Sequence, residues 1–248
     1  MNYLIKKIEK IKRIININKM NYNIYDQIEC LEKIGKGNFG EVFKGKIKLN
    51  ENGKNFFNQC PLGQCAEHNN LKENIYKLVA IKKISFKFLK LNSKIISEII
   101  ITDKFLENNP YIPKIYDLFI KDNYFTILME YLDFNLLQAI EKNIFNHDEK
   151  YNIVYSLIDS VAYLHQQNLI HNDIKPENIM FKKNKNGEYQ IKLIDYGLSR
   201  YGCCQIQKIV KNFNFGSVLY MSPNKKLNKK ILNNPNDDWW SVACVIFE

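Results

Sequence analysis

The sequence predicts an α+β fold in two parts: a small antiparallel β half carrying one helix, then a larger, mainly helical half. Three observations carry that expectation. Short apolar runs bounded by glycines and Asn-rich turns fill the chain to about residue 130. A pattern of helical period follows at 148–168. A last apolar run, Trp239 to Phe247, is long enough for a buried helix.

Residues 1–20 come first, with Leu4, Ile8, Ile11 and Ile15 at helical spacing in a basic stretch. Residues 28–47 predict two strands joined by glycines, IECLEKIG and GEVFKGKI. Residues 48–76 are Asn-rich and irregular, with the turn signal Asn52-Gly53, and are expected as a surface insertion. A third strand is expected at 77–84, and a helix over about Asn92 to Glu107 with Ile95, Ile96, Ile99 and Ile100 on its apolar side. Strands follow near 114–120 and 124–130. The helix at 148–168 should start at Asp148 and turn Ile153, Leu157, Val161 and Leu164 inward. Asn178–Phe181 and Gln190–Ile194 predict a hairpin around Asn186-Gly187. No internal repeat is visible.

The chain has 248 residues and is 46% hydrophobic, enough for one large domain or two lobes. No stretch approaches the roughly 18–20 apolar residues that span a bilayer. The N-terminus alternates Lys and Ile too finely for a signal peptide. An intracellular protein, cytoplasmic or nuclear, is therefore expected. The formal charge of +10 invites a nucleic-acid reading. Half of that excess, however, sits in residues 1–20, where Lys6, Lys7, Lys10, Lys12, Arg13 and Lys19 face only Glu9. A solvated lysine surface accounts for the rest, and no specific nucleic-acid site is expected. Six cysteines show no disulfide framework, and Cys60, Cys65 and His68 lack the fourth ligand of a zinc site.

Four segments carry chemistry. Gly35, Gly37 and Gly40 stand in G-K-G-N-F-G-E-V, where missing Cβ atoms let backbone N–H groups approach an anion. The same spacing also serves plain hairpins, or a dinucleotide turn when a helix follows, but Val42 and Phe43 continue as a strand. Lys82 ends V-A-I-K on a strand, with Glu98 on the following helix as its natural partner, Glu107 near the helix end as the alternative, and Lys83 pointing away. An apolar run, Ile127 to Leu132, follows. Finally, L-I-H-N-D-I-K-P-E-N-I-M-F and I-K-L-I-D-Y-G-L-S place Asp173, Lys175, Asn178 and Asp195 within some twenty residues. A lone loop aspartate is usually a cap or turn residue. Several matched positions in order are a different matter.

From about Ile28 to Glu248 these segments resemble a eukaryotic protein kinase of the Ser/Thr type. The resemblance implies a bilobal protein-kinase-like fold with ATP and Mg²⁺ as cofactors and Ser/Thr-bearing proteins as substrates. Its domains would be a basic extension at 1–27 and a kinase domain at 28–248, with an N-lobe at 28–130, the insertion at 48–76 and a partial C-lobe at 131–248. It makes Asp173 the catalytic base, with Lys175, Lys82 and Glu98 as further catalytic residues and Asn178 and Asp195 as metal ligands. Ile34, Gly35, Gly37, Gly40, Val42, Ala80, Lys82, Met129, Glu130, Leu132, Met180 and Ile194 would surround the nucleotide. Among these, Glu130 and Leu132 would offer backbone groups to adenine, and Met180 and Ile194 the floor of its pocket. Ser217 would lie near the acceptor hydroxyl.

The short link Glu130–Leu137, the run Tyr220–Asn224, and Asp237-Asp238 with Ser241 lean toward a casein-kinase-1-like branch. Asp238 should brace the catalytic loop. Three positions depart from the family pattern: Asn172 for the arginine of His-Arg-Asp, Tyr196 for the phenylalanine of Asp-Phe-Gly, and Asn224 for the glutamate of Ala-Pro-Glu. The missing arginine argues against switching by an activation-loop phosphate. The family has more helices beyond the one holding Asp238, so a truncated C-lobe, covered by a partner, is expected. The alternatives are a catalytically impaired nucleotide-binding regulator and a polyanion-binding module using the basic tail.

Overall fold

The computed structural model describes residues 28–37, 40–48, 76–85, 109–122, 124–184, 186–201, 217–227 and 234–248. The expected tail at 1–27, the helix at 92–107 with Glu98, the interior of the insertion and Cys60, Cys65 and His68 lie outside them. The described residues form two compact units, which divide after Pro113 and after Tyr131.

The first unit is an antiparallel sheet of β1 (Ile28–Gly37), β2 (Gly40–Lys48), β3 (Tyr76–Ser85), β4 (Ile115–Lys121) and β5 (Tyr124–Glu130). Its order is β1-β2-β3-β5-β4. The expected insertion thus loses both end residues, Lys48 and Tyr76, to strands. Strand alternation gives the sheet two faces. One face buries Ile47, Val79, Ile81, Phe119 and Leu128, with Phe43 and Tyr116 against them. Gly45 belongs to this packing, because a Cβ there would come within 2.5 Å of Ile81 Cδ1. β1 and β2 are tied by ion pairs, Lys44–Glu32 at 3.4 Å, Lys46–Glu29 at 3.0 Å and Lys33–Glu41. These are exposed and contribute little each.

The second unit begins with residues 109–113, where Tyr111 O accepts from Leu193 N–H at 2.7 Å. Two short elements that the sequence reading did not anticipate follow Tyr131: β6 (Phe134–Asn135) and α1 (Leu136–Glu141). The link expected to run to Leu137 is therefore already helical at its end, because Asn135 and Gln138 close a capping box. The long helix α2 spans His147–Gln166 and is capped by Asn146, whose side chain accepts from Glu149 N–H at 2.9 Å while Glu149 reaches back. It starts one residue earlier than expected, since Asn146 outcompetes His147 as a cap. Ile153, Leu157, Val161 and Leu164 are buried, as the periodicity requires.

β7 (Leu169–Ile170) follows, then β8 (Ile179–Lys183) and β9 (Tyr189–Leu193), whose hairpin turns at Gly187 with φ +86°. β6 pairs with β8, and β7 pairs with β10 (Arg200–Tyr201). α3 (Pro223–Leu227) and α4 (Pro235–Phe247) complete the unit.

α4 corrects one expectation. It is longer than the apolar run, because Asn234 caps it and Pro235 opens it. Nor is it buried all round: Trp240, Ile246 and Phe247 are exposed, Phe247 at 94%. Its inward face is Asp237, Asp238, Ser241, Val242 and Val245. The apolar core of the unit gathers α2, β8, β9, Tyr196 and these valines. No helix among the described residues is long and apolar enough to cross a membrane.

Candidate active site

In the second unit the chain between β7 and β8 carries His171, Asn172, Asp173 and Lys175. Asp238 of α4 fixes this loop from behind. Its Oδ2 accepts from His171 N–H at 2.8 Å and from the His165 ring at 2.9 Å, and its Oδ1 accepts from Asn172 N–H at 2.8 Å. Asp238 is fully buried, so these N–H groups are its counter-charge. The bracing role expected of it is thus visible. His171, also fully buried, is fixed as a tautomer: Nε2 donates to Ile194 O at 3.1 Å and Nδ1 accepts from Asp173 N–H at 3.3 Å. Ser199 Oγ donates to His171 O at 3.0 Å.

The loop then presents Asp173. Its Oδ2 accepts from Asn178 Nδ2 at 3.0 Å and lies 3.3 Å from Lys175 Nζ. Its Oδ1 accepts from Ser217 N–H at 3.0 Å and faces Ser217 Oγ at 3.4 Å. Lys175 Nζ donates to the same Ser217 oxygen at 2.9 Å. Asn178 Nδ2 also donates to Asp173 O at 2.8 Å. The Asn178 amide nitrogen is thus committed twice to Asp173. Asp195 sits in left-handed backbone, φ 65°, one Oδ1 contact at 3.4 Å being the Gly197 N–H. Asn168 and Asn172 share that conformation, at φ 57° and 67°. Asn and Asp tolerate it better than other side chains.

The structure brings together Asp173, Lys175, Asn178 and Ser217 of the expected residues. Ile194 is joined to them through its N–H, which Asn178 O accepts at 3.0 Å. Met180 stands half-buried on β8 opposite Lys192, and Leu132 is buried.

The first unit assembles its candidates on its other face. Directly paired residues share a face, and the register pairs Gly35 with Val42, Val42 with Lys82, Lys82 with Ile127 and Ala80 with Met129. Lys82 is half-buried among Ala80, Ile84 and Ile127, three buried residues. Lys83 does point away, its Nζ 4.9 Å from the centre of the Phe43 ring. Gly37 pairs with Gly40, where a Cβ would strike Lys83 O. Ile34 is skipped at a bulge in β1 and is 45% exposed. Glu130 is buried, its N–H donating to Lys114 O at 2.8 Å and its carboxylate accepting from Lys114 N–H at 3.2 Å.

The sequence profile of the protein kinase domain family matches residues 62–248. The chain belongs to the protein kinase family. The matched span holds Lys82, Asp173, Asn178 and Asp195, whereas the glycine segment lies before it. Two probable serine/threonine-protein kinases of Dictyostelium discoideum are similar, at 29% and 31% identity over 94% and 87% of this chain. Calcium-dependent protein kinase 6 of Plasmodium berghei is 31% identical over 91% of it. The chain spans only 16%, 29% and 13% of those proteins' lengths.

Two residues around the kinase loop escaped sequence reasoning. His165 lies at the end of α2, and Lys225 on α3 is only 6% exposed, with Nζ 3.3 Å from Asn172 O and 3.1 Å from Asn172 Oδ1. Burial lowers the Lys225 pKa, while the carboxylates of Asp237, Asp238 and Asp173 pull it back up. A lysine in N-K-K-L reads as surface, so composition offered no signal.

Proposed function

We propose that this chain is a protein serine/threonine kinase domain that passes the γ-phosphoryl group of ATP to a protein hydroxyl. One observation carries the reading. A hydroxyl oxygen, that of Ser217, is held between Lys175 Nζ at 2.9 Å and Asp173 Oδ1 at 3.4 Å. An acceptor hydroxyl held in the same way would give its proton to Asp173. Lys175 would offset the charge left on the oxygen. Asn178 keeps the carboxylate aimed, since its side-chain amide donates both to Asp173 O and to Asp173 Oδ2.

The residues also fit a magnesium nucleotide. Asn178 Oδ1 and the Asp195 carboxylate are hard oxygen donors, the kind Mg²⁺ prefers. No cluster of three or more His, Cys, Asp or Glu side chains that could hold a metal occurs among the described residues. Mg²⁺ bound with substrate phosphates needs only one or two carboxylates. When bound, the metal would neutralise charge on the phosphates. In the first unit, Gly35, Gly37, Gly40, Val42, Ala80, Lys82 and Met129 supply the nucleotide-facing candidates, and Leu132, Met180 and Ile194 supply them in the second. Lys82 is assigned to the phosphates, with Glu98 as its proposed partner. The run from Tyr220 to Asn224 favours a casein-kinase-1-like branch; Ser241 Oγ donates to Tyr220 O at 2.8 Å within it.

The test is Asp173→Asn in a radiometric transfer assay with labelled ATP and casein. Turnover should fall by about 10²–10⁴-fold, the usual worth of a general base. ATP affinity should stay within about twofold, because Asp173 is not assigned to base or metal. Unchanged turnover refutes the assignment.

A further inference from the structure

Asn172 stands where the resembling family carries an arginine, and it brings no charge. In the structure a cation reaches Asn172 from another element. Lys225 is buried on α3, and its ammonium donates to both acceptors of Asn172, the backbone carbonyl at 3.3 Å and the side-chain oxygen at 3.1 Å. The remaining donors of Asn172 are also engaged: its N–H goes to Asp238 Oδ1 at 2.8 Å and its Nδ2 to Leu198 O at 3.3 Å. Asn172 is thereby clamped in a left-handed conformation, φ 67°, one that asparagine tolerates and these contacts hold. The next residue is Asp173, so the twist at Asn172 sets where that carboxylate points.

The charge arrangement supports the same role. Asp173, Asp237 and Asp238 are each at most 8% exposed. Carboxylates packed around one loop repel each other unless cations lie among them; Asp173 has Lys175 at 3.3 Å, and Lys225 lies within reach of the charges of Asp237 and Asp238 as well as Asp173. Lys225 also lines a small cavity with Asn172, Asp173, Ser217, Ser222 and Asp237. On the Asp237 side, Ser222 Oγ donates to Asp237 Oδ1, which ties the start of α3 to α4.

We propose that Lys225 is a positioning residue, whose ammonium holds Asn172 and through it aims Asp173, in place of the cation that Asn172 lacks. This rests on the reading of Asp173 as the base.

The experiment compares Lys225→Met, Lys225→Arg and Lys225→Met/Asn172→Arg with the parent and with Asp173→Asn. Each protein is assayed for kcat and for the KM of ATP, and for amide hydrogen exchange at residues 171–173 and along α2. A misplacement of about 1 Å costs on the order of 100-fold in rate. Lys225→Met should therefore lose kcat on that scale with the KM of ATP within about twofold. Its amides at 171–173 should lose protection while α2 keeps its own. Lys225→Arg should stay near the parent, and the double variant should recover part of the loss. Unchanged kcat and protection in Lys225→Met would overturn the proposal. So would a loss of protection spread evenly over α2, or Lys225→Arg failing as badly as Lys225→Met. If Lys225→Met does not fold, Asn172→Ala opens the same contact from the other side and must show the same local exchange. A parent that transfers no phosphoryl group sinks the base assignment alone. Exchange at Asn172 then still decides for or against Lys225.

Discussion

Tyr196 carries a hydroxyl that none of the described residues engages. The ring is 1% exposed and packs on His171, with centroids 4.9 Å apart. Among the described residues its Oη has no hydrogen-bond partner. Burial, and then the nearby Asp238 charge, push its pKa well above the ordinary tyrosine value of 10.0. The phenol is therefore neutral, and its desolvation is uncompensated. A buried unsatisfied group costs about 1–3 kcal/mol. Tyr196→Phe removes that cost and keeps the ring contact, so it should stabilise the protein by a similar amount. For a chain of this size each kcal/mol raises Tm by about 2–4 °C. Urea titration should show a higher midpoint with an unchanged slope. A pH series adds an independent check. A raised tyrosine pKa holds its proton in the folded state, so its contribution is complete below about pH 10 and is lost as pH rises beyond that. The Phe variant should show a shallower alkaline decline. A midpoint equal to or below that of the parent would mean that the hydroxyl is partnered after all, and the reasoning would fail.

Asp195→Asn should weaken Mg²⁺-dependent nucleotide binding, and superimposable Mg²⁺ titrations of variant and parent would count against its role as a ligand. Asp238→Ala strips acceptors from His171 N–H, Asn172 N–H and the His165 ring together. It should destabilise by about 1–3 kcal/mol for each buried donor left without an acceptor; chemical denaturation reads this directly. Gly40→Ala would drive a Cβ into the Lys83 carbonyl and to 3.2 Å from Ile84 Cα, both backbone. Moving the edge of β3 should cost about 1–3 kcal/mol, visible as a lower Tm, and an unshifted Tm would show that the hairpin has room.

What could be read from the sequence was whatever is local or periodic. Asn178 lies five residues from Asp173, so a tight turn alone brings the amide to the carboxylate, and the motif spelled out both. The inward face of α2 followed from period 3.6, and its four predicted residues are buried. α4 was harder, because an apolar run says how greasy a helix is and not which way it turns. The run from Trp239 to Phe247 was expected to form a buried helix, yet Trp240, Ile246 and Phe247 are exposed at 45%, 44% and 94% while Asp237 and Asp238 are at 5% and 0%. The burial of the two acids has a physical cause. The β7–β8 loop holds Asn172 in left-handed backbone, so the N–H groups of His171 and Asn172 turn toward α4 and away from any strand partner. Buried N–H groups must find acceptors. A carboxylate at the first turn of α4 meets them, and that end of a helix also tolerates negative charge. Lys225 is drawn in for the complementary reason, to offset the carboxylates that the loop required. The burial of Asp237 and Lys225 thus belongs with that of Asp238: the loop carrying Asp173 is held by charge, and α4 turns these acids inward together with Val242 and Val245.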